Sequence, residues 1–167
     1  EFIFDAKKIR SYEDVIQVCR AAGEWLRKFH YSEFAQVGAI DVVSNSTVVK
    51  DIAHKVLDSN LNSYSDDFLS DKLIKDIRSK VLNQLDASKE NLQISLCHGD
   101  YCFQNLLFEK SKGVVTVLDF ENWCHDLQLL DVAFFMSKLE HTMLIHPATR
   151  STLSIASEKF IESYAAG

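Results

Sequence analysis

Residues 94–108, Ile94-Ser95-Leu96-Cys97-His98-Gly99-Asp100-Tyr101-Cys102-Phe103-Gln104-Asn105-Leu106-Leu107-Phe108, and, beyond a turn at Lys112-Gly113, residues 114–121, Val114-Val115-Thr116-Val117-Leu118-Asp119-Phe120-Glu121, decide how the chain reads. Three short apolar runs predict strands, and the turn predicts a hairpin joining the second to the third. Polar groups gather at two places between them. A loop holds His98, Asp100 and Asn105, and a strand end holds Asp119 and Glu121. The pattern is that of a site carried on a scaffold.

Phosphoryl transfer suits this layout. A hydroxyl acceptor needs a carboxylate to orient it and take its proton, and a triphosphate needs Mg²⁺ held by hard oxygen ligands. Asp100 fits the first task. The amide oxygen of Asn105, five residues on, and the carboxylate of Asp119, beyond the hairpin, fit the second. Asp, four residues, Asn, hairpin, Asp is also the order of the protein-kinase catalytic loop and its metal-binding Asp.

His98-Gly99-Asp100 with Asn105, then Leu118-Asp119-Phe120-Glu121, then Asp131-Val132-Ala133-Phe134, resembles the aminoglycoside phosphotransferase and choline kinase family. Members of that family have Gly where protein kinases have Arg after the loop His. The similarity runs over roughly residues 12–165 and covers the carboxyl-terminal lobe of a kinase-like fold. The resemblance implies an α+β, mainly helical lobe with a small β-hairpin carrying both loops. It implies Asp100 as catalytic base, Asn105 and Asp119 as the residues that bind Mg²⁺ and the nucleotide phosphates, and Asp131 as a brace accepting backbone hydrogen bonds from the loop. His98 would support the loop from beneath. Glu121 would either assist the metal or a nearby water, or be a solvent-exposed or structurally paired carboxylate. The implied donor is ATP with Mg²⁺, and the implied acceptor is a small molecule bearing a hydroxyl, such as an aminoglycoside, choline, ethanolamine or a sugar.

Simpler readings compete at each motif. A lone His-Gly-Asp is commonly a turn, because Gly allows unusual dihedrals and Asp caps nearby amides, but a turn does not account for Asn105, Asp119 and Asp131 in that order. Cys97, His98, Cys102, Cys124 and His125 could supply tetrahedral zinc ligands, while a small buried thiol at the end of a strand accounts for Cys97 more simply. A metal-dependent phosphoesterase using His98, Asp100 and Asp119 lacks the further ligands such a site requires. A catalytically silent binding or regulatory module of the same fold is the rival from another class. The presence of Asp100, Asn105 and Asp119 together favours the enzyme.

Composition sets the outer bounds. A chain of 167 residues, 47% hydrophobic and 25% charged, is the size of one domain and can bury a core. Its net charge of −6, without a basic run, makes nucleic acid an unsuitable partner. No signal peptide or membrane span is legible, so the expected setting is cytoplasmic, with Cys19, Cys97, Cys102 and Cys124 as thiols.

Flanking periodicity predicts helices. Ser11 with Asp14 starts one whose apolar positions run from Val15 to Phe29, with His30 at its end, which could be functional but more simply serves carbonyls or the helix dipole. A short strand over 39–43, a helix over 47–58 and a polar turn over 60–67 follow, and a second long helix over 66–85 carries Asp66 and Asp67 at its start. Those two carboxylates suit the start of a helix and could also meet a cationic substrate. Residues 126–140 read as a helix apolar nearly all round, hence a buried core helix, and Pro147 opens a last helix carrying Leu153, Ile155, Phe160, Ile161 and Tyr164.

One part of a kinase is not legible. Five glycines, none clustered, and no strand-borne Lys ahead of the first long helix leave the nucleotide-gripping amino-terminal lobe unrepresented. The expectation is a single domain over 1–167, the carboxyl-terminal lobe of a longer kinase, inactive alone.

Overall fold

The computed structural model describes residues 11–36, 71–88 and 93–166. The chain forms two compact units, Glu1–Ala39 with Ser95–Gly167, and Ile40–Ile94. The expectations for 39–43, 47–58 and 60–67, with Asp66 and Asp67, lie outside the described residues.

In the first unit, helix α1 spans Tyr12–His30. Its start is chemical: Ser11 is extended, and its hydroxyl accepts the Asp14 N–H at 3.1 Å, satisfying a donor that the first turn would leave open. Val15, Val18, Cys19, Ala22 and Leu26 form its buried stripe. A single turn, α2 (Glu33–Gln36), follows. In the second unit, α3 spans Asp71–Ser88. It half-buries Ile74, Ile77, Val81 and Leu82 at helical spacing and exposes Lys72, Lys75, Asp76 and Lys80.

Strand β1 (Ile94–Cys97) leads into the site loop, and β2 (Leu106–Glu109) and β3 (Val114–Val117) make the expected hairpin. The hairpin is antiparallel, with Leu106 opposite Val117 and Phe108 opposite Val115. All four are buried, so one face of the hairpin joins the core while Thr116 and Glu109 look out. Gly113, at φ +65° with open space around it, closes the turn by donating its N–H to Glu109 O at 2.9 Å.

Asp126 and Leu127, expected as the start of a helix, instead end strand β4 (Cys124–Leu127), which pairs with β1. Cys-His-Asp-Leu has no strand alternation, and pairing with β1 overrides local preference. Helix α4 (Leu129–Ile145) therefore begins three residues later than expected. It is also less buried than its composition suggests. Asp131, Val132, Phe135 and Leu139 face inward, whereas Leu129, Leu144 and Ile145 are exposed. Pro147–Thr149 forms a 3₁₀ turn before α5 (Arg150–Ala165).

The core of the first unit lies between α1, α4, α5 and the hairpin. Phe135 anchors it, stacked on Phe160 with ring centroids 4.1 Å apart and tilted against Phe103 at 4.3 Å. Replacing one such ring by Ala typically costs about 3–5 kcal/mol. Among the described residues, no helix is long and apolar enough to cross a membrane.

Candidate active site

The loop after β1 is held from below by a buried carboxylate. Asp131, fully buried on α4, accepts the His98 N–H on Oδ2 at 2.7 Å and the Gly99 N–H on Oδ1 at 2.9 Å. His30 Nε2 lies 3.1 Å from Oδ2 and donates to it, since a carboxylate can only accept. Three donors thus compensate a charge that would be very costly to bury alone.

His98 links this base to the hairpin. Its Nε2 lies 2.8 Å from Leu118 O, and its Nδ1 lies 3.3 Å from the Asp100 N. A carbonyl accepts and a backbone N–H donates, so the ring carries its proton on Nε2 and offers Nδ1 to Asp100. Gly99 sits at φ +81°, and a Cβ built there would collide with the carbonyl of Asn122, so no side chain fits between the two loops. Tyr101, buried among these groups, donates its hydroxyl to Ala22 O in α1 at 2.8 Å, and burial holds that hydroxyl well above its ordinary pKa.

The candidate polar residues sit on this frame. Asn105 ends a 3₁₀ turn (Phe103–Asn105), and its Nδ2 donates to Asp100 O at 2.9 Å and to Asp100 Oδ2 at 3.1 Å. Both side chains are half-buried, and Asn105 Oδ1, the atom a hard cation would take, is left free of those bonds. The Leu118 N–H donates to Asn105 O at 2.8 Å, which ties the next residue, Asp119, to the same turn. Asp119 is exposed and left-handed, at φ +65° and ψ +61°, the one non-glycine residue with positive φ among those described. Such backbone is sterically disfavoured and concentrates at functional positions. Glu121 is exposed in the following 3₁₀ turn, Phe120–Asn122, and Phe120 packs on His98 with centroids 4.5 Å apart.

The chain belongs to the phosphotransferase enzyme family. That family matches residues 11–151, a span holding every residue of the site. Among solved structures, an ethanolamine kinase from Plasmodium vivax is similar, with a TM-score of 0.54 and 17% identity over 93% of this chain. The similarity gives the fold, that of a partial kinase-like lobe. This chain spans 47% of that enzyme's length. No curated protein matches.

Among the described residues, the cysteine and histidine side chains do not form the zinc cage considered from sequence. The group that does converge is His30, Cys97 and Asp131, whose ligand atoms lie within 4.8 Å of one another. These atoms are already engaged. Asp131 is filled by three donors, and Cys97 Sγ donates to the carbonyls of Leu127 at 3.3 Å and Asp126 at 3.5 Å. Burial, reinforced by Asp131, pushes the Cys97 thiol far up, whereas a metal needs the thiolate. Burial likewise raises Cys102 and Cys124.

Sequence reasoning gave His30 too small a part. It is fully buried, and its nitrogens face Asp131 and the Tyr164 hydroxyl, the latter at 2.9 Å from Nδ1. A histidine ending an amphipathic helix gives no hint of partners 101 and 134 residues away.

Proposed function

We propose that the chain carries the catalytic half of a small-molecule kinase, transferring the γ-phosphate of Mg-ATP to a hydroxyl of an aminoglycoside-, amino-alcohol- or sugar-like acceptor. Asp100 orients that hydroxyl and takes its proton as the oxygen attacks the γ-phosphorus and the bond to the β-phosphate oxygen breaks. Asn105 Oδ1 and the Asp119 carboxylate are the oxygens that would hold Mg²⁺. When bound, the ion neutralises charge on the phosphates. The donor set fits a hard cation, being one amide oxygen and one exposed carboxylate with no thiol or imidazole.

The arrangement of Asn105 carries this reading. Its Nδ2 is spent on Asp100 while its Oδ1 is free, so one side chain fixes the base and offers a metal ligand. Beside the base and the metal ligands, this chain contributes positioning: His98 and Asp131 hold the loop through its backbone N–H groups and the Leu118 carbonyl. Because the chain spans 47% of the ethanolamine kinase, turnover is expected of a longer chain with a Gly-rich loop and a strand Lys, and residues 1–167 alone should not turn over ATP.

The test is Asp100→Ala in the full-length gene product, assayed with amino alcohols, aminoglycosides and sugars as acceptors. Turnover should fall by about 10²–10⁴-fold, the usual worth of a positioned general base, with nucleotide affinity little changed. Unchanged turnover overturns the assignment of the base.

A further inference from the structure

We propose that Tyr164, on the last helix, is a positioning residue for the site loop, acting through His30 and Asp131. A continuous run of hydrogen bonds connects them. The Tyr164 hydroxyl is 2.9 Å from His30 Nδ1, His30 Nε2 is 3.1 Å from Asp131 Oδ2, and that same oxygen is 2.7 Å from the His98 N. His98 Nδ1 then receives the Asp100 N–H at 3.3 Å. With the proton on His30 Nε2 given to Asp131, Nδ1 accepts from the Tyr164 hydroxyl. Burial raises Tyr164 above its ordinary pKa, so that hydroxyl keeps its proton.

Packing holds the tyrosine in reach. Gly23 lies on α1 two turns before His30, on the same face. A Cβ there would collide with Phe160 O and crowd Ser163 Cβ and Tyr164 N at 3.1 Å, so only glycine lets α5 approach this closely. The Tyr164 ring also stands edge-on to His30, 5.7 Å between centroids at 89°. The imidazole is thereby steered at both ends, by Asp131 and by α5. A buried network of this kind rigidifies what it holds when each member is satisfied. Loop 98–100 thus takes its position from α5 as well as from α4. The effect on turnover rests on the reading of Asp100 as the base; the effect on loop geometry does not.

Tyr164→Phe keeps the ring and removes the hydroxyl. In the isotope-labelled 167-residue chain, we expect the amide resonances of His98 and Gly99 to move more than those of Val115 or Leu153, and hydrogen exchange at His98 to quicken about five- to tenfold, the worth of one lost hydrogen bond. Gly23→Ala, which pushes α5 away, should give the same signature, and Phe160→Leu, which loosens packing alone, should not. Unmoved His98 and Gly99 amides in folded Tyr164→Phe overturn the proposal, whatever the activity. In the full-length product the same variant should lower kcat about fivefold at unchanged KM for ATP. Moved amides with unchanged kcat uphold the positioning role and remove the catalytic reading of the loop.

Discussion

The carbonyl of Asn105 accepts the N–H of Leu118 at 2.8 Å, and the carbonyl of Leu118 faces His98 Nε2 at the same distance. One residue of the hairpin therefore clasps both sides of the site loop. Asp119 follows directly, so its place is set by backbone bonds and not by its own side chain. A change that loosens this clasp should disturb Asp100 and Asp119 together.

Gly99→Ala should be among the most damaging small substitutions. The added methyl meets the carbonyl of Asn122 in a left-handed conformation, and backbone of that kind costs an alanine about 1–2 kcal/mol before any overlap is counted. Urea unfolding should show a loss of about 2 kcal/mol or more. A loss below about 0.5 kcal/mol, the scale of an ordinary surface substitution, would mean the two loops separate at little cost.

The hairpin and the ends of α1 were legible in the sequence because their causes are local. Ser11 caps its own helix, and alternating apolar residues face a single core. That Asp100 and Asn105 lie in the loop after β1 and Asp119 just past the end of β3 was legible too, since the apolar runs on either side mark where the strands stop. Strand β4 and the buried face of α4 were not, because Cys124–Leu127 becomes a strand only when β1 is beside it. The His30 and Tyr164 pairing was hidden for the same reason: contacts between the two ends of a chain leave no periodic trace.

Asp119 is where stability and activity should part. Glycine relieves left-handed strain, whereas alanine tolerates it less well than aspartate does. Asp119→Gly should leave stability unchanged or raise it by up to about 1 kcal/mol, and Asp119→Ala should lower it by a similar amount. Both should weaken Mg²⁺-dependent nucleotide binding in the full-length product. If calorimetry there found nucleotide binding intact in both variants, Asp119 would not be a metal ligand.

Asp131→Asn preserves shape and removes charge. One of its two oxygens becomes an NH₂ facing a donor, either Gly99 N–H or the shared His98 and His30 donors. Losing charge-assisted bonds and leaving a buried donor unpaired should cost about 3 kcal/mol. Chemical denaturation measures it, and a cost under 1 kcal/mol would show that the loop needs no carboxylate beneath it.

Cys19 supplies a pH test of the core. It is fully buried in α1, and burial pushes its thiol far above the ordinary value near 9. Above that value the unfolded chain releases the proton and the folded chain keeps it. The unfolded state then binds fewer protons, so stability falls as pH rises, by about 1.4 kcal/mol per unit for one thiol. Well below pH 9 the thiol is protonated in both states, and its contribution is constant. Comparing the chain with Cys19→Ala between pH 9.5 and 10.5 isolates this one group from the tyrosines and lysines that titrate nearby. The alanine variant should lose stability less steeply by about that amount per unit, and parallel slopes would mean water reaches the thiol at the centre of α1.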